Sequence, residues 1–241
     1  MTGKPQSMDR LTRIGLLVSS SNTVMENDLH SHLPKDRYSV HTARMFLVDT
    51  TREAQIEMIE KHAPLAADNL GTAQPDLVVF GSTSGGSLFG LRYDARLRVA
   101  LGERCNCEVM GVVTAVAEAL ERRGSRRVAI ITPYVQELTD AVARSIEGPD
   151  REIAAAFGMG ISTNVKLADP TPAEIATFAR GQLTGVKYDA VFISCSNFRG
   201  MEAAQLLESE VGLPVITSNS SVIEAIRLKM EGASFDKEFS V

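Results

Sequence analysis

The chain has 241 residues, of which 44% are hydrophobic and 23% are charged, the composition of an ordinary soluble globular protein. Its formal net charge of −5 and its lack of a dense Lys/Arg run argue against a nucleic-acid partner. No apolar run reaches the roughly 18 residues that cross a bilayer, so we expect no membrane partner either.

The polar first residues and the cysteine count predict a cytoplasmic protein. The opening segment, MTGKPQSMDR, contains no apolar signal region. Three cysteines, an odd number, favour reduced thiols over a disulfide framework. Cys105 and Cys107 form a CxC pair with no His or second Cys pair close by, so we expect no metal site.

Short apolar runs alternate with amphipathic segments, which predicts an α/β fold with mostly parallel sheets. Two helix starts carry capping boxes. Thr50-Thr51-Arg52-Glu53 opens a helix to about Leu70, and Thr171-Pro172-Ala173-Glu174 opens another with Pro172 at its first position. The predicted strands are Arg13–Val18, Ser39–Met45, Asp76–Phe80, Glu108–Val113, Arg127–Thr132, Ile153–Met159, Ala190–Ser194 and Pro214–Thr217.

The order of elements repeats once. RIGLLVSSSN resembles RVAIITPYVQ, PDLVVFGSTSGG resembles YDAVFISCSNFRG, and CEVMGVVTAVAEAL resembles LPVITSNSSVIEAI, at a spacing of about 110 residues. The repeat predicts two pseudo-symmetric lobes that face each other across a cleft. We expect lobes at residues 12–120 and 121–230, with the chain end able to cross to the first lobe, and flexible tails at 1–11 and 231–241.

Polar clusters follow the strands in both halves, at the edge where parallel sheets bind ligands. They contain hydroxyls, amides and one thiol, but no acid pair and no nucleotide-binding glycine motif. Strand-to-helix turns of this kind suit a carboxylate, so the sequence predicts a small dicarboxylate ligand. The clusters are Ser19-Ser20-Ser21-Asn22, Ser82-Thr83-Ser84, Thr132-Pro133-Tyr134 and Cys195-Ser196-Asn197.

The segments RIGLLVSSSNTVME, VVFGSTSGG, VAIITPYVQEL and VFISCSNFRGME resemble those of the aspartate/glutamate racemase superfamily, above all its maleate cis–trans isomerase and arylmalonate decarboxylase branch. The resemblance runs from about Arg13 to Lys229, with the motifs in the right order. It implies the two-lobed fold with the active site in the cleft. It also implies a cofactor-independent reaction on a small carboxylic acid, and a homo-oligomer.

The resemblance also implies roles for individual residues. Cys195 matches the catalytic cysteine of the second lobe, although an isolated cysteine is more often simply buried. Ser82 stands where racemases and maleate isomerases carry their first-lobe cysteine. The turn Ser82-Thr83-Ser84 matches the carboxylate cradle of the decarboxylases. The remaining implied substrate-binding residues are Asn22, Tyr134, Asn164, Ser196 and Asn197.

Three of these assignments have structural alternatives. Asn22 could instead cap the helix at Met25, and Tyr134 could be a packing aromatic with a satisfied hydroxyl. Asn164 could be an ordinary turn residue.

Serine at position 82 is the main departure from the two-cysteine pattern, because a hydroxyl without an adjacent base is a poor nucleophile or proton carrier. Three explanations are open. Ser82 is an engineered replacement of cysteine, which the likeness of GSTSGG to GCTSGG favours. Alternatively, the protein is a natural one-thiol enzyme like the decarboxylases, or a binding protein that has lost catalysis.

The leading functional hypothesis is therefore an isomerase of the maleate-isomerase or racemase type, with Cys195 moving a proton and position 82 acting when it is cysteine. The first alternative is a one-thiol decarboxylase of substituted malonates, for which Phe89 and Phe198 could line an apolar pocket. The second is a non-catalytic protein that binds a small acid.

Overall fold

The computed structural model of the chain describes residues 10–88 and 90–232 and confirms the α/β prediction. Its two sheets are both four-stranded and parallel, and helices flank them. The first contains β1 (Thr12–Ser19), β2 (Tyr38–Met45), β3 (Leu77–Gly81) and β4 (Val109–Gly111), and the second contains β5 (Arg127–Tyr134), β6 (Glu152–Ile161), β7 (Ala190–Ile193) and β8 (Val215–Thr217).

The strand order is the same in both sheets: β2-β1-β3-β4 in the first and β6-β5-β7-β8 in the second. The inner strands β3 and β7 are buried at every residue, as expected for parallel strands covered on both faces. Their Val, Ile and Phe side chains fill the space under the helices. The shared order is the arrangement that the sequence repeat predicts.

Ten α-helices are found within the described residues. A π-helical turn, Met58–His62, joins the second to the third, and a 3₁₀ turn covers Asn164–Ala168. The helices are α1 (Met25–His32), α2 (Arg52–Glu57), α3 (Ala63–Gly71), α4 (Thr83–Ser87), α5 (Leu91–Cys105), α6 (Val112–Arg122), α7 (Gln136–Ile146), α8 (Pro172–Leu183), α9 (Gly200–Val211) and α10 (Ser218–Glu231).

Two details of the sequence prediction are wrong. The strand predicted to reach Val113 ends at Gly111, because one apolar run covers both the strand and the first turn of α6. The cap of α2 is Thr51 and not Thr50, since the Thr51 hydroxyl accepts from the Ala54 N–H at 3.2 Å. The second capping box, Thr171 with Glu174, is confirmed, and Pro172 begins α8.

The last helix packs against first-lobe elements. Helix α10 lies against α6 and α1, and its buried Glu224 accepts from Arg122 at 3.1 Å and from Arg123 at 3.0 Å. These contacts are what the predicted crossover of the chain end would produce. The lobe limits themselves stay a prediction.

Some predictions lie outside the described residues. Phe89 is one, and residues 1–9 and 233–241 of the predicted tails are others. Along the described stretches, every helix is too short or too polar to traverse a lipid bilayer.

Candidate active site

Cys195 lies in the turn between β7 and α9, and its backbone is left-handed, with φ of +117°. This conformation costs a residue other than glycine about 1–3 kcal/mol, so surrounding contacts must hold it. The Cys195 N–H donates to the Ser218 hydroxyl at 3.0 Å. The side chain is only 5% exposed. The turn therefore holds the thiol in a fixed, nearly dry position.

The sulfur accepts hydrogen bonds from its surroundings. The Asn197 N–H donates to Sγ at 3.2 Å, and the Tyr134 hydroxyl also hydrogen-bonds the thiol. Burial nevertheless raises the pKa of Cys195 to about 12, with these two donors acting in the opposite direction. At neutral pH the group is therefore a thiol, which can donate a proton but is not a ready nucleophile.

A chain of hydrogen bonds leads from Cys195 into the first lobe. The buried Tyr134 hydroxyl contacts both the Cys195 thiol and Ser84, and Ser84 Oγ accepts from Gln55 Nε2 at 2.8 Å. Burial raises the pKa of Tyr134 well above its ordinary value, and Cys195 raises it further. Tyr134 is therefore a neutral hydroxyl that lies between the Cys195 thiol and Ser84 of α4.

Ser82 and Thr83 form the matching turn of the first lobe. Ser82 is extended, with φ of −127°, and its hydroxyl caps α4 by accepting from the Gly85 N–H at 3.1 Å. Thr83 Oγ1 donates to the Ser218 hydroxyl at 3.1 Å. Because Ser218 also accepts from Cys195, one hydroxyl joins the two turns across the cleft. We call Ser82, Thr83, Ser84, Tyr134 and Cys195 the cleft cluster.

Two hydroxyl groups near the thiol can still donate. Ser82 Oγ accepts from Gly85, and Ser218 Oγ accepts from Thr83 and Cys195. Each therefore keeps its own hydrogen for a partner such as a carboxylate.

The other predicted substrate-binding residues form a frame around the cleft cluster. Asn22 Oδ1 accepts from the N–H groups of Val24 and Met25, both at 3.0 Å, and Nδ2 donates to Ser196 at 3.2 Å. Asn22 thus holds the backbone where the chain enters α1, although the N-cap residue of that helix is Val24. Ser196 in turn donates to the Gly81 carbonyl at 3.0 Å, which joins the ends of β7 and β3.

Asn164 and Asn197 also belong to this frame. Asn164 donates to Ser21 at 2.8 Å and to Ser19 at 3.3 Å. Asn197 donates to the Asn164 carbonyl at 2.7 Å and accepts from the Thr23 N–H at 2.8 Å. These amides hold the loops of the two lobes together.

Hydrogen bonds also join a loop of the first lobe to a loop of the second. Asp49 and Thr163 form an isolated antiparallel bridge between the lobes. Thr50 contributes through its N–H and its hydroxyl, which both bond to the Ser162 carbonyl, at 3.1 and 2.7 Å. The residue misassigned as a helix cap thus fastens the two lobes together.

The structure brings all the predicted site residues together, and it adds four that the sequence did not reveal: Gln55, Ser218, Asn219 and Asp28. Asn219 donates to the Asp28 carboxylate at 2.7 Å and to the Ser196 carbonyl at 3.2 Å. The segment ITSNSS was visible as a repeat match, but nothing in it indicated these contacts.

Asp28 supports the Cys195 turn indirectly. It accepts a hydrogen bond from Asn219, which also donates to the carbonyl of Ser196 in that turn. Burial raises the pKa of Asp28 to about 6, while the hydrogen bond from Asn219 lowers it. Among nearby charges, Glu202 raises the pKa, and His32 and Arg199 lower it. Asp28 therefore titrates near neutral pH just outside the cleft cluster.

A family model described as arylmalonate decarboxylase matches residues 14–235, and the chain belongs to this family. It is 28% identical to a maleate isomerase from Pseudomonas putida, over 88% of each chain. It is also 26% identical to an arylmalonate decarboxylase from Bordetella bronchiseptica, over 60% of this chain and 61% of the relative.

Solved structures of other proteins share this fold. A variant of the maleate isomerase Iso from a second Pseudomonas putida strain, crystallised with maleate, superposes with a TM-score of 0.82. It is 22% identical, and the match covers 92% of this chain and 93% of that one. The predicted relationship to the isomerase and decarboxylase branch is therefore confirmed.

Proposed function

We propose that the protein is a cofactor-independent, one-thiol lyase that decarboxylates a small substituted malonate. The observation that carries this proposal is the pair of side chains at the two facing turns, after β7 and after β3. The only thiol in the cleft cluster, Cys195, is protonated, and the facing residue is a serine whose hydroxyl caps a helix. One proton donor and an array of carboxylate-binding hydroxyls suffice for decarboxylation.

The reaction follows from these groups. The bond between the α-carbon and one carboxylate breaks, carbon dioxide leaves, and the electron pair moves into the remaining carboxylate to form an enolate. The hydroxyls of Ser82 and Ser218 donate to the enolate oxygens and stabilise the developing charge. The Cys195 thiol then gives its proton to the α-carbon, and water restores that proton.

Tyr134 and Asn197 assist the proton transfer. Both direct hydrogens at the sulfur, so they stabilise the thiolate that forms when the proton leaves. Since both bonds end on the sulfur, neither uses the thiol hydrogen, which remains available for transfer to a substrate.

The test is carbon dioxide release from malonate, methylmalonate and hydroxymalonate. We expect release by the chain as given and by Cys105→Ala, which removes a buried thiol outside the cleft, and its loss in Cys195→Ala. No release from any of the three acids, or full activity in Cys195→Ala, would refute the proposal.

A maleate isomerase or an amino-acid racemase is the second candidate, because the maleate-isomerase relative aligns over more of the chain than the decarboxylase does. Its chemistry needs a second thiol at position 82. Gain of maleate-to-fumarate conversion, or of aspartate or glutamate racemisation, in Ser82→Cys would support it. Thermal stabilisation by dicarboxylates without turnover, even in that variant, would instead indicate a binding protein.

A further inference from the structure

Gln55 is a buried amide that the proposed chemistry leaves unused. It lies on the first turns of α2, and its side chain is 0% exposed. Its Nε2 donates to Ser84 in the cleft cluster at 2.8 Å. Its Oε1 has no hydrogen-bond partner among the described residues. An unsatisfied buried acceptor lowers stability, so a protein that retains one has a use for it or a water on it.

The contacts of the amide show which of its ends is unpaired. Gln55 Nε2 faces Ser84 Oγ at 2.8 Å, a hydrogen-bond distance. The amide oxygen is the end that has no partner among the described residues.

That oxygen lies beside the turn that carries Ser82. A Cβ placed on Gly85 would be 2.8 Å from Ser82 Oγ, 3.3 Å from Met58 Cε and 3.4 Å from Gln55 Oε1. Ser82 Oγ and Gln55 Oε1 thus lie close to Gly85 and on the same side of it. The Gly85 N–H, a backbone donor in this turn, already donates to Ser82.

A hydrogen-bond acceptor in this position is unexpected among groups that bind a carboxylate. The hydroxyls of Ser82 and Ser218 offer hydrogens to an anion, whereas Gln55 Oε1 would repel one. It can be satisfied only by a group that donates. A hydroxyl or an amino substituent on the substrate is a small group that could donate to it.

We propose that Gln55 determines specificity by accepting a hydrogen bond from a hydroxyl or amino substituent on the substrate α-carbon. This inference rests on the proposed function, and it narrows the substrate class to 2-hydroxy- or 2-aminomalonates. A site that bonds a substrate hydroxyl discriminates strongly against the analogue that lacks it, because its own polar group is then left unpaired.

Calorimetric binding to the Cys195→Ala protein, in which the ligand is not consumed, tests this. The probes are methylmalonate, hydroxymalonate and aminomalonate, which differ in one small substituent. Hydroxymalonate or aminomalonate should bind at least about 10-fold more tightly than methylmalonate. Whichever of the two binds more tightly identifies the substituent.

We then add Gln55→Met, which keeps the side-chain length and removes the acceptor, to the Cys195→Ala protein. The affinities for hydroxymalonate or aminomalonate and for methylmalonate should then agree to within about 2-fold. Gln182→Met, an exposed position on α8, is the matched control and should preserve the ratio of these affinities. If Gln55→Met does not fold, a crystal structure with hydroxymalonate decides, through an oxygen within hydrogen-bond distance of Gln55 Oε1.

Equal affinities for the three acids, an unchanged ratio in Gln55→Met, no binding of any acid, or a water on Oε1 in that crystal structure would overturn the inference. The role of Gln55 and the proposed lyase activity can be refuted independently of each other. Discriminating binding by the Cys195→Ala protein, with no carbon dioxide released by the parent chain, would leave Gln55 as the selector and remove the lyase.

Discussion

The turns after β3 and β7 occupy equivalent places in two sheets of the same strand order, yet they do different work. After β3 the chain is extended at Ser82 and enters α4 at once, so the hydroxyl is used as a cap. After β7 the chain is left-handed at Cys195, and α9 begins only at Gly200. Because the turn is longer, the Cys195 side chain does not cap the following helix. In the proposed mechanism, the same scaffold thus provides one turn that holds the substrate and one that supplies a proton.

The largest effect is expected from removing the proton donor. Cys195→Ala should lower kcat by about 10²–10⁴-fold, the usual contribution of a positioned general acid. Steady-state rates of carbon dioxide release measure it. Cys195→Gly should lose as much activity but unfold with a free energy about 1 kcal/mol higher than Cys195→Ala, because glycine tolerates the left-handed backbone. Equal stabilities would show that the turn is not strained.

The support behind the Cys195 turn predicts a pH effect on stability. The folded protein holds the Asp28 proton up to about pH 6, whereas the unfolded chain releases it near pH 4. The free energy of unfolding should therefore fall by up to about 3 kcal/mol as the pH rises through this window. Urea titrations from pH 4 to 7 should show this slope reduced in Asp28→Asn and retained in the exposed control Asp36→Asn. A slope unchanged in Asp28→Asn would contradict the account.

Tyr134 tests whether the thiol depends on the neighbouring hydroxyl. Tyr134→Phe removes a donor to the sulfur, so the pKa of Cys195 should rise further and kcat should drop by about 10–100-fold. The matched control is Tyr38→Phe, which removes a hydroxyl bonded to Glu231 outside the cleft. Rates of iodoacetamide labelling against pH report the thiol directly. Identical labelling profiles in Tyr134→Phe and the parent would rule out the contact.

A small effect on stability, with a separate effect on turnover, is expected in the first-lobe turn. Ser82→Ala removes a helix cap and should cost about 1 kcal/mol in the free energy of unfolding, much like Thr171→Ala at the cap of α8. Of these two variants, only Ser82→Ala should also lower kcat, because it removes a donor to the enolate. Equal kcat values in the two variants would contradict this role of Ser82.

The sequence predicted the two matching sets of strands better than it predicted where single elements end. All eight strands were found, because apolar runs between polar clusters mark parallel strands clearly. The strand-end clusters also indicated where the lobes meet. The end of β4 was misplaced because Val112 and Val113 are apolar in either a strand or a buried helix.

Gln55 and Asp28 could not have been found in this way. Each lies on a helix of ordinary composition, and its role comes from a partner distant in sequence, Ser84 for Gln55 and Asn219 for Asp28. Local patterns carry no signal for such contacts. The same holds for Ser218, whose hydroxyl joins the two turns.

The most direct test of the central claim is the configuration of the product formed in D₂O from a monosubstituted malonate. A single thiol on one face of the enolate should deliver deuterium to that face alone. The account predicts carbon dioxide release with one enantiomer of the α-deuterated acid, and formation of both products about 10²–10⁴-fold more slowly with Cys195→Ala. Equal amounts of both enantiomers, or no carbon dioxide at all, would contradict it.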